Sequence, residues 1–345
     1  MKFFNNTLIF DNNINLKVFK KQSKLIFSNV KYTSCVFFKI NFEDIRFDNV
    51  IFENCTFEFC TFTKCSIGNL TIMEFYDSHI YNCNFNNCNF KNVFIKKSKL
   101  EIVSFINVYL GQCNLIKNNY IKVKFIDKCN LSDCVIKGNT DRFNIEFVHN
   151  NGNTILNLNS YIGGFNFKKT NLIKSNKCLN RQISIEVCNS YLAFANEFLC
   201  NNLGDKYGAC FYESKRALHK ILRGIEKLKS FLSYHICGYG EKPFRAFSFS
   251  LIIVFICAII YLFTGLQGEN NVILYKFNNP EIFNLNFLKD FIHCFYFSIV
   301  TFATVGYGNI IPLTFSSMII STVEIILGVV MIGIWTSTLV RKMTR

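Results

Sequence analysis

Beginning at Phe27, a large apolar residue returns at every fifth position, through Tyr32, Phe37, Phe42, Phe47, Phe52, Phe57, Phe62, Ile67 and Ile72. The phase then jumps by three residues. The beat resumes through Phe75, Ile80, Phe85, Phe90, Ile95, Leu100, Phe105, Leu110, Leu115, Tyr120 and Phe125. In a chain that is 50% hydrophobic, an unbroken run of this length would arise by chance about once in two million. Two residues before many of these positions sits a smaller side chain: Cys35, Val50, Cys55, Cys60, Cys65, Ser78, Cys83, Cys88, Val93, Ser98, Val103 and Cys113. Strands repeat every 2 residues and helices every 3.6, so neither keeps both positions of a five-residue unit on one face. The chain must turn once per unit and bury its apolar wall by stacking units.

This pattern resembles the pentapeptide-repeat family, from about Leu25 to Ile136. Coils of that family are right-handed, square in section and four repeats long, with the large and the small residue both pointing inward. The resemblance implies an N-terminal right-handed quadrilateral β-helix over residues 25–140. Cys129/Leu131 and Cys134/Ile136 follow a one-residue slip, and Thr170/Leu172 reads as a degenerate continuation as far as residue 180. About twenty-three repeats make nearly six coils, a rod ~28 Å long at ~4.8 Å per strand. A rod of this kind offers no enzyme pocket, and its binding partner is not legible.

Nine of the sixteen Cys occupy the small inward position, where a thiol acts as a small hydrophobe. Cys55, Cys60 and Cys65 are five apart, without the short C-x₂₋₄-C pairs of a zinc site. The five His, at 79, 149, 219, 235 and 293, share no spacing that gathers two on one face. No structural metal, cofactor or catalytic constellation is expected. The net charge of +15 raises the question of nucleic acid, but mimicry of DNA by such a solenoid needs an acidic surface, and no nucleic-acid partner is expected. Asn5, Asn6 and Thr7 break the first apolar stretch too early for a signal-peptide core. The N-terminal region is therefore expected in the cytoplasm.

Residues 142–185 are Asn-rich and irregular, and no element is assigned there. From Glu186 the period becomes helical: Leu192, Ala195, Phe198 and Leu199 form one stripe, Asn202–Asp205 a turn, and Tyr207 through Leu232 a second stripe. An α-helical hairpin linker is expected over residues 186–240. Between Lys206 and Arg245 nine basic side chains face three acidic ones. Either this is a solvated face, or Lys227, Lys229, Lys242 and Arg245 meet anionic lipid head groups.

The lipid alternative arises because a membrane span follows. Ala246–Phe263 carries no charge, which suits a ~30 Å hydrocarbon core once Phe244 and the flanks are added, and Pro243 fits the first turn of its helix. Leu313–Val340 is a second apolar run, broken only by Glu324. Arg341, Lys342 and Arg345 follow it, whereas Leu266–Asp290 holds two basic and three acidic residues. The positive-inside rule then places both termini in the cytoplasm. Phe291–Ala303 is uncharged but too short to cross, as a re-entrant helix would be. It runs directly into Thr304-Val305-Gly306-Tyr307-Gly308.

Here the chain resembles the potassium-channel pore, in an all-α two-span domain over residues 243–345 of the kind found in bacterial two-span channels. The resemblance implies a homotetramer in the cell membrane of a bacterium, each copy giving a quarter of the pore. It also implies that K⁺, the permeant ion, is held by the backbone oxygens of Thr304, Val305, Gly306 and Tyr307 with the Thr304 hydroxyl, Gly306 and Gly308 supplying the required backbone angles. Gly328 matches a hinge glycine of the inner helix or a close-packing glycine. Glu324, four residues earlier, fits either a functional ionisable group or a hydrogen-bonding partner of a pore-helix Ser or Thr. Asn309 stands where many relatives have Asp, and Tyr296-Phe297 where many have a Trp pair. The expected protein is a potassium-selective channel with a cytoplasmic solenoid. The alternative is a membrane-tethered scaffold whose solenoid binds a partner and whose pore does not conduct.

Overall fold

One residue in each repeat turns the corner. From Asn29 to Lys64 and again from Asp77 to Asp127, every fifth residue lies in the left-handed region, with φ between 49° and 63°. Each stands two places after a large inward residue. Asn and Asp tolerate that conformation. Phe59 and Ile102 occupy the same corners despite their bulk. The computed structural model describes residues 7–8, 26–68, 71–150, 153–163, 177–268, 272–275 and 285–344.

Between corners the short strands pair in parallel with the coil before. Phe37 faces Phe57, Phe42 faces Phe62 and Phe85 faces Phe105, each pair twenty residues apart, so four repeats close one coil. Across the phase jump the offset grows to twenty-three, with Ile80 opposite Phe57 and Phe85 opposite Phe62. The three extra residues are accommodated at one corner without breaking the stack. This corrects the expectation for Ile72, which is 38% exposed, while Met73 beside it is buried two places before Phe75. Met73, the first residue of the resumed strand Met73–Tyr76, takes the small inward position.

Stacking makes the core continuous. Phe42, Phe62, Phe85, Phe105, Phe125 and Phe147 form one ladder with ring centroids 4.6, 4.6, 4.9, 5.2 and 5.4 Å apart. Inward thiols complete the neighbouring layer: Cys60, Cys65 and Cys88 each donate at 3.3 Å to the carbonyl of an inward Phe in the coil before. Burial pushes the Cys113 thiol up to about 12, as suits an apolar filler rather than a nucleophile.

The solenoid continues past residue 140, into the segment whose sequence carries no clear period. The strand Val135–Val148 pairs along Asn114–Ile126 with several register shifts, burying Phe143 and Ile145, and Tyr161–Gly163 adds a rung on Val135–Lys137. Thr170, Leu172 and Leu25 lie outside the described residues. Helix α1 (Lys177–Cys200) then closes the open end. Its Phe194 meets Phe147 edge-on at 4.9 Å, and Ser190 Oγ donates to the Phe143 carbonyl while accepting from the Ile145 amide. A helix over the last coil satisfies a strand edge that would otherwise invite pairing. Helix α2 (Gly204–His219) packs on α1 after a turn through Asn202, φ +56°.

The expected second helix of the hairpin is two helices. α2 ends at His219, and after an extended Arg223 and Gly224 at φ +56° α3 (Gly224–Cys237) starts anew. Packing divides the chain at the same place, into Met1–Leu222 and Arg223–Arg345. The second unit holds α3, α4 (Pro243–Thr264), α5 (Leu285–Phe302) and α6 (Phe315–Met343). Pro243 opens α4, where its missing N–H costs no hydrogen bond. α4 and α6 are the two helices long and apolar enough to span a bilayer, among the described residues. α5 begins six residues before the expected Phe291, and its added first turns carry Lys289 and Asp290.

A candidate ion pathway

Residues 304–308 lie between α5 and the short strand Ile310–Pro312. The last turn of α5 runs straight into them: the Thr304 amide donates to Thr301 O at 3.0 Å and the Val305 amide to Val300 O at 2.9 Å. The carbonyl end of that helix carries partial negative charge, favourable for a cation nearby. Every second residue of the segment is left-handed: Thr304 at φ +55°, Gly306 at +58° and Gly308 at +79°. Added Cβ atoms at Gly306 and Gly308 would meet nothing within 4 Å, so φ rather than space calls for glycine there. Val305 and Tyr307 are 52% and 70% exposed, and neither side chain is packed into its own unit.

The far side of the segment is followed by a sheet with no clear sequence signal. Leu266–Gly268, just beyond α4, pairs antiparallel with Ile310–Pro312, just beyond the candidate filter, and with Val272–Ile273. Three-residue strands carry too little period to be read. Thr314 then caps α6 in a reciprocal box, its hydroxyl accepting from the Ser317 amide at 3.2 Å while Ser317 Oγ accepts from the Thr314 amide at 2.9 Å. The same Thr314 hydroxyl donates to Thr264 O at 2.6 Å, tying the start of α6 to the end of α4.

Glu324 is fully buried on α6, between α4 and α5. Its Oε2 accepts from the Tyr261 hydroxyl at 2.7 Å, and its Oε1 contacts Ser298 Oγ, whose hydroxyl also reaches Val254 O at 2.9 Å. One side chain from α6 thus joins α4 and α5. Tyr261 also meets Phe297 edge-on at 5.0 Å. The partnership with Tyr261 was not visible in the sequence, because sixty-three residues separate the two.

Gly328, one turn further along α6, faces the backbone of Phe302. A Cβ built there overlaps the Phe302 carbonyl oxygen and stands 2.9 Å from its carbon and 3.2 Å from its Cα. α6 therefore touches the main chain two residues ahead of Thr304. At the other end of α6, Arg341 pairs with Glu241 at 3.4 Å, in the turn between α3 and α4.

The four expected lipid-contact residues have different surroundings. Lys229 pairs with Glu226 at 3.3 Å on α3, where Lys227 also lies. The stem of Lys242 packs over Gly238. The guanidinium of Arg245 sits 5.1 Å from the centre of the Tyr234 ring and donates to Tyr234 O at 3.1 Å. Among the described residues no group of His, Cys, Asp and Glu is arranged to hold a metal ion.

Residues 271–345 of this second unit match the family model described as "Ion channel". Two-pore potassium channel 4 of Arabidopsis thaliana is 39% identical over 80 residues, which cover 23% of this chain and 26% of the plant protein. The chain thus spans about a quarter of the length of that curated relative. The C-terminal part is thus similar to an ion-channel family and to a quarter of a plant potassium channel, and the described residues include two helices long and apolar enough to span a bilayer. A structure of QnrB1, a plasmid-mediated fluoroquinolone resistance protein, is 12% identical, covering 42% of this chain and 87% of its own, with a TM-score of 0.15.

Proposed function

We propose that this chain forms a homotetrameric, potassium-selective channel carrying a cytoplasmic pentapeptide-repeat solenoid on each subunit. The carrying observation is the alternation of left-handed φ at Thr304, Gly306 and Gly308 at the carbonyl end of α5. Alternating handedness is what lets successive carbonyls of a short segment turn toward one side. Four copies around an axis would then offer rings of oxygens from Thr304, Val305, Gly306 and Tyr307, with the Thr304 hydroxyl below, in place of the water of a K⁺ ion. The exposed Val305, Tyr307 and α6 face in a single copy agree with surfaces that other copies cover.

K⁺ enters this reading as the transported ion; no cofactor does. By the positive-inside rule the basic residues beside α4 and after α6 support a reading with both termini in the cytoplasm, and Lys227, Lys229, Lys242 and Arg245 are the lipid-facing charges of that reading. Gly328 and Glu324 support the pore from behind, through contacts with α5.

Reversal potentials of the purified protein in planar bilayers, under opposed K⁺ and Na⁺ gradients, test the proposal. The potential should follow K⁺. In Gly306→Ala, an alanine forced to φ +58° costs roughly 1–2 kcal/mol in each subunit, and conduction should cease. Equal permeability to Na⁺ refutes selectivity, and an absence of flux in a tetramer with an intact filter favours the scaffold reading.

A further inference from the structure

α3 presents an apolar surface that its own unit does not cover. No residue of the helix is buried, and Ile225, Leu228, Phe231 and Leu232 are 73%, 59%, 48% and 46% exposed. Positions 225, 228 and 232, with 231 between them, fall on one helical face. The His235 ring, 4.3 Å from that of Phe231, extends it.

The opposite face is the one that packs. Ser230 shares a hydrogen bond with the Tyr239 hydroxyl at 3.0 Å, Tyr234 lies beneath the Arg245 guanidinium, and Cys237 joins the cluster around Ala246 and Met331. Residues 230, 234 and 237 follow i, i+4, i+7 and define the side toward α4; Ile236, one turn beyond Leu232, also joins that cluster, so the uncovered apolar face is the Ile225–Leu232 part of the helix. Lys227 and Lys229 flank the apolar face, one on each border. Long basic side chains at the borders can lay their stems on an apolar surface and lift the ammonium to water.

Only residues 238–242 separate α3 from α4, and the left-handed cap at Gly238, with Arg245 bound to the Tyr234 carbonyl, fixes how the two meet. If α4 enters the bilayer at Pro243, α3 is held within a few residues of the head groups. We propose that α3 is an interfacial helix, its Ile225–Leu228–Phe231–Leu232 face set into the boundary between head groups and acyl chains, and Lys227 and Lys229 at head-group level. Such a helix is amphipathic, basic at its borders and low in overall hydrophobicity, as α3 is. The inference rests on the reading that α4 spans the membrane and goes beyond it by assigning the bilayer, rather than a protein surface, as what covers this face.

The test places a single indole on the helix in the full-length protein. Trp335, the one native Trp, is replaced by Phe, and Leu228→Trp, Ile225→Trp and Glu226→Trp are made separately in that background. Each is reconstituted in phosphatidylcholine–phosphatidylglycerol vesicles containing lipid brominated near the head of the acyl chain. The indoles introduced at 228 and 225 should lose most of their emission to the brominated lipid and resist acrylamide, and the one at 226 should behave in the opposite way. Quenching of the 228 and 225 indoles from water overturns the proposal. So does protection from both quenchers, which would mean that a second copy or another protein surface covers the face, and so does equal lipid quenching at all three positions. K⁺ flux measured on the same vesicles reports the channel reading separately: flux without lipid quenching leaves the channel and removes the interfacial helix.

Discussion

Replacing Gly328 by Ala adds one methyl group where α6 crosses the end of α5. The added carbon would lie 2.9 Å from the Phe302 carbonyl carbon and 3.2 Å from its Cα, against a comfortable separation of about 3.5–4.0 Å. The obstacle is main chain, so no rotamer change relieves it. α6 must withdraw from α5 by something on the order of 1 Å, or the segment leading into Thr304 must shift. Overpacking of this kind costs about 1–3 kcal/mol, which in the four subunits of the proposed tetramer sums to roughly 4–12 kcal/mol. Two measurements on the same sample separate packing from hinging: the temperature at which the detergent-solubilised tetramer falls to monomer, and single-channel open probability. Packing predicts a marked fall in tetramer stability, together with altered or unstable conductance. Wild-type tetramer stability with a selective loss of opening would refute this argument and leave Gly328 as a hinge.

Three further perturbations follow from particular contacts. Glu324→Ala strands the buried Tyr261 hydroxyl, at ~1–3 kcal/mol, and leaves Ser298 with the Val254 carbonyl alone, so the yield of the proposed tetramer should drop; Glu324→Gln, which can both accept and donate, should preserve it, and equal losses in the two variants would contradict the hydrogen-bond account. Ile102→Asn relieves a β-branched side chain held at φ +54° in a solenoid corner and should raise the solenoid's β-type circular dichroism melt by about 2–4 °C, the shift expected for ~1 kcal/mol in a domain of this size; a lower melt would show that Ile102 packs outside the corner. Burial lifts the Glu197 carboxyl above its ordinary 4.5, while His149 pulls the other way. A raised native value means that this residue's stabilising contribution is full below the unfolded value and is lost as pH rises through the lifted one. Glu197→Gln should therefore flatten the decline of solenoid stability on going upward from about pH 4.5, and an unchanged slope would point to other groups.

Much of this protein is written in short-range pattern. A five-residue beat demands a turn per unit whatever surrounds it, and twenty residues per coil follow from stacking like on like. The candidate filter segment is similarly local: glycines in alternate positions state their backbone angles without reference to neighbours. The apolar runs of α4 and α6 announce their length because a bilayer sets it. What the sequence could not decide were questions of which surface meets which. Ile72 and Met73 are both large and apolar, and only the loop at the phase jump determines which turns inward. The break between α2 and α3 depends on Arg223 and Gly224 leaving helical geometry inside an otherwise continuous helical stripe. Gly328 reads equally as hinge or packing residue in the sequence, which does not show the Phe302 carbonyl against it, and Glu324 suggests a Ser or Thr on the helix before the filter motif but not Tyr261, sixty-three residues earlier and within 2.7 Å. Periodicity records how a segment is oriented to a core; the identity of the opposing atom is a property of the fold, because contacts between distant segments leave no spacing in the chain to read.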